Sequence, residues 1–102
     1  MLITNVGSSN FQEEVLACEK PVLMDFWAPW CGPCRMVAPV VEEIAAEHPE
    51  IKVVKVNVDE QMELASRFRI VSIPTLIVMK NGEVVNQCVG ARPKNQILAM
   101  LG

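Results

Sequence analysis

The chain has a single histidine, a single Cys-x-x-Cys, no cluster of basic residues and no apolar run long enough to cross a bilayer. Each absence removes a class of function. Cys31 and Cys34 supply half of a common zinc site, but a second cysteine pair, or paired histidines at ligand spacing, is missing, and His48 stands alone. Covalent c-type haem attachment needs a histidine directly after the second cysteine, where Arg35 stands. With nine Lys and Arg against twelve Asp and Glu, the formal charge of −3 offers no electrostatic footprint for nucleic acid. Residues 1–6 lack the charged and long apolar regions of a secretory signal, and Asp25 interrupts the most apolar stretch well short of a membrane span. The expected location is therefore the cytoplasm. No internal repeat, low-complexity tract or linker divides the chain.

What is present fits one soluble domain over residues 1–102, apolar in half its positions and long enough to bury a core of its own. Four cysteines are too unevenly placed for a disulfide scaffold, since Cys18 and Cys88 lie far from the close pair. A reducing compartment and one working dithiol explain the spacing better.

Hydrophobic periodicity divides the chain into alternating elements. Residues 2–6 read as a short strand, and Ser9 with Gln12 as a capping box for a helix running to about Glu19, with Phe11, Val15 and Leu16 as its buried stripe. Residues 22–27 are apolar on both faces except for Asp25, the pattern of a central strand covered on each side. Residues 36–45 repeat at helical spacing, with Glu42, Glu43 and Glu47 on the opposite face and Pro39 as an expected kink. Residues 51–58 form a second β-branched run, after which Asp59 is the predicted cap of a short helix packing Leu64, Ala65 and Phe68. Residues 75–79 and 84–89 are strands whose Asn81-Gly82 connection predicts an antiparallel hairpin. Pro93 begins a last helix with Ile97, Leu98 and Leu101 inward. The order βαβαβαββα requires a mixed sheet with helices on both faces.

The stretch Trp27-Ala28-Pro29-Trp30-Cys31-Gly32-Pro33-Cys34 lies where the central strand hands over to a helix. Backbone N–H groups of a first helical turn have no intrahelical partner and favour negative charge, so a thiolate at Cys31 costs less there than in water. Pro33 suits a helix start, and the i, i+3 spacing brings Cys34 beside Cys31 at disulfide distance. Cys31, nearer the helix start, is expected to be the more exposed and the more acidic sulfur. The alternative is a pair of inert core sulfurs. Asp25, set in an apolar strand, should have its pKa raised by desolvation unless something pairs with it.

Trp-Cys-Gly-Pro-Cys, reached in this order from an apolar strand, resembles the active site of the thioredoxin family, and the resemblance covers essentially the whole chain. It implies an α/β thioredoxin fold: a central mixed five-stranded sheet flanked by four helices, the dithiol-bearing elements at its centre and the terminal hairpin at one edge. It implies that Cys31 is the nucleophile and Cys34 the resolving thiol. Asp25 matches a buried acid that accepts the resolving cysteine's proton, and Lys55 a lysine that modulates that acid. A plain Asp25–Lys55 ion pair, or a Lys55 reaching for solvent, is the structural alternative. The resemblance makes the Ile73–Pro74 bond cis, exposing the Ile73 backbone to an extended target segment. Trp30, Gly32, Pro33, Ile73, Pro74, Val89, Gly90 and Ala91 match a flat apolar contact surface for substrate, while Trp27 is expected to pack under the active-site turn. Val71-Ser72 departs from the charged residue and glycine common in relatives, and Cys18 and Cys88 lie outside the shared pattern, the first read as a small buried thiol, the second as a chance strand residue or a regulatory thiol. His48 reads as a helix-end residue.

The implied activity is general protein thiol-disulfide oxidoreduction without a bound cofactor or metal. Electrons would come from a flavin-dependent, NADPH-driven thioredoxin reductase or a ferredoxin-linked equivalent, and the protein would act as a monomer on disulfide-containing proteins. The same fold also serves oxidases and isomerases, against which Gly32-Pro33 argues, and redox-inert binding or assembly subunits.

Overall fold

The computed structural model describes residues 2–102. Its elements run in the order β1 (Ile3–Asn5), a π-helical turn (Gln12–Leu16), β2 (Val22–Trp27), α1 (Gly32–Glu47), β3 (Lys52–Asn57), α2 (Met62–Arg67), β4 (Thr75–Lys80), β5 (Glu83–Val89) and α3 (Lys94–Met100). The five strands form one mixed sheet in the order β1-β3-β2-β4-β5. β3 is parallel to both β1 and β2, whereas β4 is antiparallel to β2 and β5. This is the fold the resemblance implied, with the dithiol's strand at the centre and the hairpin at one edge.

The apolar runs become the interior strands because only a strand covered on both faces can bury consecutive apolar side chains. In β2 and β4 every position but the last is buried. Val22, Met24, Phe26, Val54, Val56 and Ile77 pack on one face beneath Phe11, Val15 and Leu64. Phe68 closes that layer, its ring centroid 5.7 Å from Phe11 and 5.6 Å from Phe26. Leu23, Val53, Leu76 and Val78 face the other way, under Val37, Val41 and Ile44 of α1 and Ile97 of α3. Burial of each such side chain contributes roughly 1.5–3 kcal/mol. By strand alternation Asp25, Trp27 and Lys55 fall on this second face, the one that α1 covers.

The hairpin forms as the sequence predicts, with φ of 53° at Asn81 and 80° at Gly82. Two successive positive φ values match the turn that follows the right-handed twist of its strands. α1 runs unbroken through Pro39.

Two local expectations fail. The capping box of Ser9 and Gln12 does not form, and no helix reaches Glu19. Asn10 instead organises the turn: its Oδ1 accepts the Gly7 N–H at 2.8 Å, and its Nδ2 donates to the Asn5 carbonyl at 3.1 Å. A side chain that satisfies nearby backbone groups competes with regular helix. The chain then makes one wide turn, closed by the Ala17 N–H on the Gln12 carbonyl at 2.9 Å, which still buries Phe11 and Val15. Asp59 likewise does not cap α2, whose N-cap is Gln61 without a side-chain hydrogen bond. Its carboxylate is held by Trp30.

Candidate active site

Cys31 is the N-cap of α1, with extended backbone, and its Sγ accepts the Cys34 N–H at 3.2 Å. The sulfur thus fills the capping role usually taken by a serine or aspartate oxygen, and a negative charge on it would strengthen that bond. Cys31 and Cys34 are joined as a disulfide, their Cα atoms 5.3 Å apart. In this state Cys31 is not the more exposed of the two: each is 4 % accessible. The turn folds Ala28 and Ile73 against the pair and covers both sulfurs. Their difference lies in their surroundings, since Cys31 Sγ is 3.7 Å from the Ile73 carbonyl oxygen and is the sulfur receiving the amide.

The Ile73–Pro74 bond is cis. Among the described residues the Ile73 N–H, beside Cys31, makes no hydrogen bond within the chain. The loop is fixed on either side. Thr75 Oγ1 donates to the Ser72 carbonyl at 2.6 Å, and the Gly90 N–H to the Pro74 carbonyl at 2.8 Å. This last bond ties the end of β5 to the segment beside the disulfide, placing Gly90 against Pro74 and Val89 opposite Thr75. Trp30, Gly32, Pro33, Val89 and Ala91 are exposed, Ile73 and Gly90 half-buried. Pro74 differs from the sequence expectation of a contact residue, for it is buried beneath the loop it shapes.

Trp30 is 67 % exposed, yet its Nε1 donates to Asp59 Oδ2 at 2.9 Å. Arg35 Nη2 donates to the Pro29 carbonyl at 2.8 Å and braces the turn from the helix side. Sequence reading missed both partners, because Asp59 and Arg35 carry no pattern that marks them.

Asp25 is 1 % exposed, and among the described residues its Oδ1 has no hydrogen-bond partner. Burial pushes its carboxyl up from 3.8 to about 6, the Lys55 charge pulling the other way. The direct Asp25–Lys55 ion pair does not occur among the described residues. Although the two residues are register partners across β2 and β3, Lys55 turns its Nζ over the Trp27 ring, 4.6 Å from the centroid. Cation–π contact keeps the ammonium near the acid without pairing it. A cleft of about 160 Å³, lined by Trp27, Ala28, Pro29, Cys34, Arg35, Ala38 and Lys55, connects the second cysteine to that lysine and has room for several waters.

Cys18 and Cys88 are half-buried and unbonded, and packing pushes the Cys88 thiol up, which makes it less reactive. His48 caps the C-terminus of α1 and pairs with Glu50 at 2.8 Å.

The family model for thioredoxin matches residues 3–102. The chain belongs to the thioredoxin family. It is 58 % identical over 93 residues to thioredoxin 1 of Nostoc sp., covering 90 % of this chain and 87 % of that protein. Identity to the thioredoxin of Pyropia yezoensis is 50 % over 102 residues, covering 99 % and 95 % of the two chains, and to that of Alicyclobacillus acidocaldarius 54 % over 94 residues, covering 91 % and 89 %. As a member of the thioredoxin family with its Cys-x-x-Cys joined as a disulfide, the protein is a thiol-disulfide oxidoreductase that acts as a protein-disulfide reductase. No helix among the described residues is long and apolar enough to cross a membrane.

Proposed function

We propose that the protein is a general reductant of protein disulfides in which Cys31 attacks and Cys34 resolves. The observation that carries this assignment is the position of Cys31 Sγ, on the Cys34 amide at the start of α1 and 3.7 Å from the carbonyl oxygen of Ile73. In the reduced protein the Cys31 thiolate attacks one sulfur of a target disulfide. A bond forms between Cys31 and that sulfur, and the other target sulfur leaves as a thiolate and takes up a proton. Asp25 then accepts the Cys34 proton, through water in the cleft beside Lys55. Cys34 attacks Cys31 Sγ, the Cys31–Cys34 bond forms, and the second target sulfur departs with its electron pair. Two electrons pass from the dithiol to the target. Lys55 acts through its field on Asp25, favouring the ionised acid.

Target recognition is by backbone. An extended segment pairs with the N–H and C=O of Ile73, while Trp30, Gly32, Pro33, Val89, Gly90 and Ala91 give it a flat apolar bed and Pro74 shapes the loop from beneath. The chain works as one domain over residues 1–102, as a monomer in the cytoplasm, and is re-reduced by a flavin-dependent, NADPH-driven thioredoxin reductase or a ferredoxin-linked equivalent. An NADPH-coupled assay with candidate reductases and a disulfide-bonded protein substrate tests the whole cycle. Turnover should be abolished by Cys31→Ser. Turnover that survives this change would overturn the assignment.

A further inference from the structure

Beside the Ile73 loop lies a second cleft of about 190 Å³, walled by Phe68, Ile70, Val71, Gln87 and Val89, with Arg69 as the only charged side chain lining it among the described residues. We propose that this cleft is a specificity subsite of the reductase, with Arg69 selecting target segments that carry an acidic side chain near their disulfide. The proposal rests on the target-binding reading above and adds to it the chemistry of the preferred target.

Three observations lead there. The first is continuity: Val89 belongs to both the contact surface and the cleft, and Ser72, next to Ile73, lines its near wall. A target sulfur bonded to Cys31 lies beside Ile73. Two residues along an extended segment span roughly 6.6 Å, so the next side chain on that face lies within reach of the Ser72 wall of the cleft. The second is charge. Among the described residues no carboxylate pairs with Arg69, whereas Arg67 is engaged over the Phe11 ring.

The third is the backbone of Arg69 itself. α2 ends with the Arg69 N–H on the Ser66 carbonyl at 3.0 Å and the Ile70 N–H on the Ala65 carbonyl at 2.9 Å, the paired bonds of a Schellman stop. That motif places its C′ residue in the left-handed region, where glycine is at no disadvantage, yet Arg69 holds φ of 54°. A lining residue of the cleft is thus an arginine held in a backbone conformation that disfavours any side chain. Val71, 94 % exposed, stands beside it as an apolar flank.

The test uses disulfide-bonded peptides carrying Glu, Gln or Lys two positions before the cysteine in one series and two positions after it in another. The readout is kcat/KM for reduction by the full-length protein at low salt. Wild type should prefer Glu over Lys by about fivefold in one series, the size expected when an exposed ion pair replaces a like-charge contact. The preference should vanish in Arg69→Gly and invert in Arg69→Glu. Arg69→Gly should also melt several degrees higher, since glycine relieves the left-handed strain, so loss of preference cannot be ascribed to unfolding. A Glu-to-Lys ratio that is the same in wild type and both variants, in both series, overturns the subsite. Failure of the underlying reading looks different: wild type would reduce none of the peptides, or Cys31→Ser would still reduce them.

Discussion

Lys55 and Asp25 are register partners on adjacent parallel strands, yet the lysine's ammonium sits over the ring of Trp27 and the acid's Oδ1 has no hydrogen-bond partner. Among the described residues this buried carboxyl is neither neutralised by a salt bridge nor fixed by a hydrogen bond. Such a group can change protonation without breaking structure around it, which is what the proposed relay of a proton from Cys34 requires.

The same carboxyl should cost the fold stability at neutral pH. Its folded pKa of about 6 lies above the ordinary 3.8, so the folded state holds the proton more tightly than the unfolded chain. Stability from this group is therefore full below about pH 3.8 and falls as pH rises through 6. The gap between 3.8 and about 6 corresponds to roughly 3 kcal/mol. Asp25→Asn, in the disulfide form, should stabilise the protein by about 2–3 kcal/mol at pH 8 and by little at pH 4. Urea unfolding at the two pH values measures this; an equal effect at both would mean that Asp25 does not titrate as its burial dictates.

Lys55→Met tests the coupling from the other side. The lysine's charge lowers the Asp25 pKa, so its removal should move that pKa further above 6. The fall in stability with pH should shift toward alkali by the same amount. Loss of the contact with Trp27 should cost a further ~0.5–1 kcal/mol at every pH. A uniform loss without any shift in the pH profile would leave Lys55 a packing role alone.

The two cysteines should be separable by trapping. Cys34→Ser should accumulate a stable mixed disulfide with a target protein, visible on a non-reducing gel, whereas Cys31→Ser should form none. With both cysteines present, Asp25→Asn should slow decay of that adduct near pH 7 by roughly a hundredfold, the low end for losing a positioned proton acceptor. Single-turnover quench experiments distinguish this from a slower first attack, which Asp25 should scarcely affect. Adducts trapped on Cys34 but not on Cys31 would reverse the proposed roles, and equal trapping on both would remove the distinction.

Much of this was legible in the sequence because the relevant information is local. Residues 22–27 and 51–58 are continuous apolar runs, and a strand buried on both faces is the structure that accommodates them. Asn81-Gly82 specifies its own turn, and Cys31, Gly32, Pro33 and Cys34 their own helix start. Contacts that depend on folding were not legible. Nothing near Asp59 marks it as the partner of Trp30, 29 residues earlier, and its predicted capping role uses the same carboxylate that the indole takes. Asn10 escapes notice because Ser9 and Gln12 offer a familiar helix start, although a neighbouring amide that reaches Gly7 and Asn5 competes with it. The bond from Gly90 to Pro74, which joins two parts of the proposed contact surface, likewise appears only once β4 and β5 have paired.

Gly32 and Gly90 make the last contrast. Both belong to the proposed contact surface, and at both an added Cβ would meet nothing within 4 Å. Space therefore does not distinguish them, but the backbone does. Gly32 is the first residue of α1, where alanine is at least as favourable as glycine. Gly90 holds φ of 95°, a region that disfavours any side chain, and its N–H is the donor to Pro74. Gly32→Ala should thus keep or slightly raise stability, and any loss of activity it brings would reflect contact with the target. Gly90→Ala should lose about 1–2 kcal/mol and loosen the loop that presents Ile73. Urea unfolding of both variants, alongside KM for a disulfide-bonded protein, separates the two effects. Equal destabilisation would show that crowding, rather than φ, is what glycine relieves at these positions.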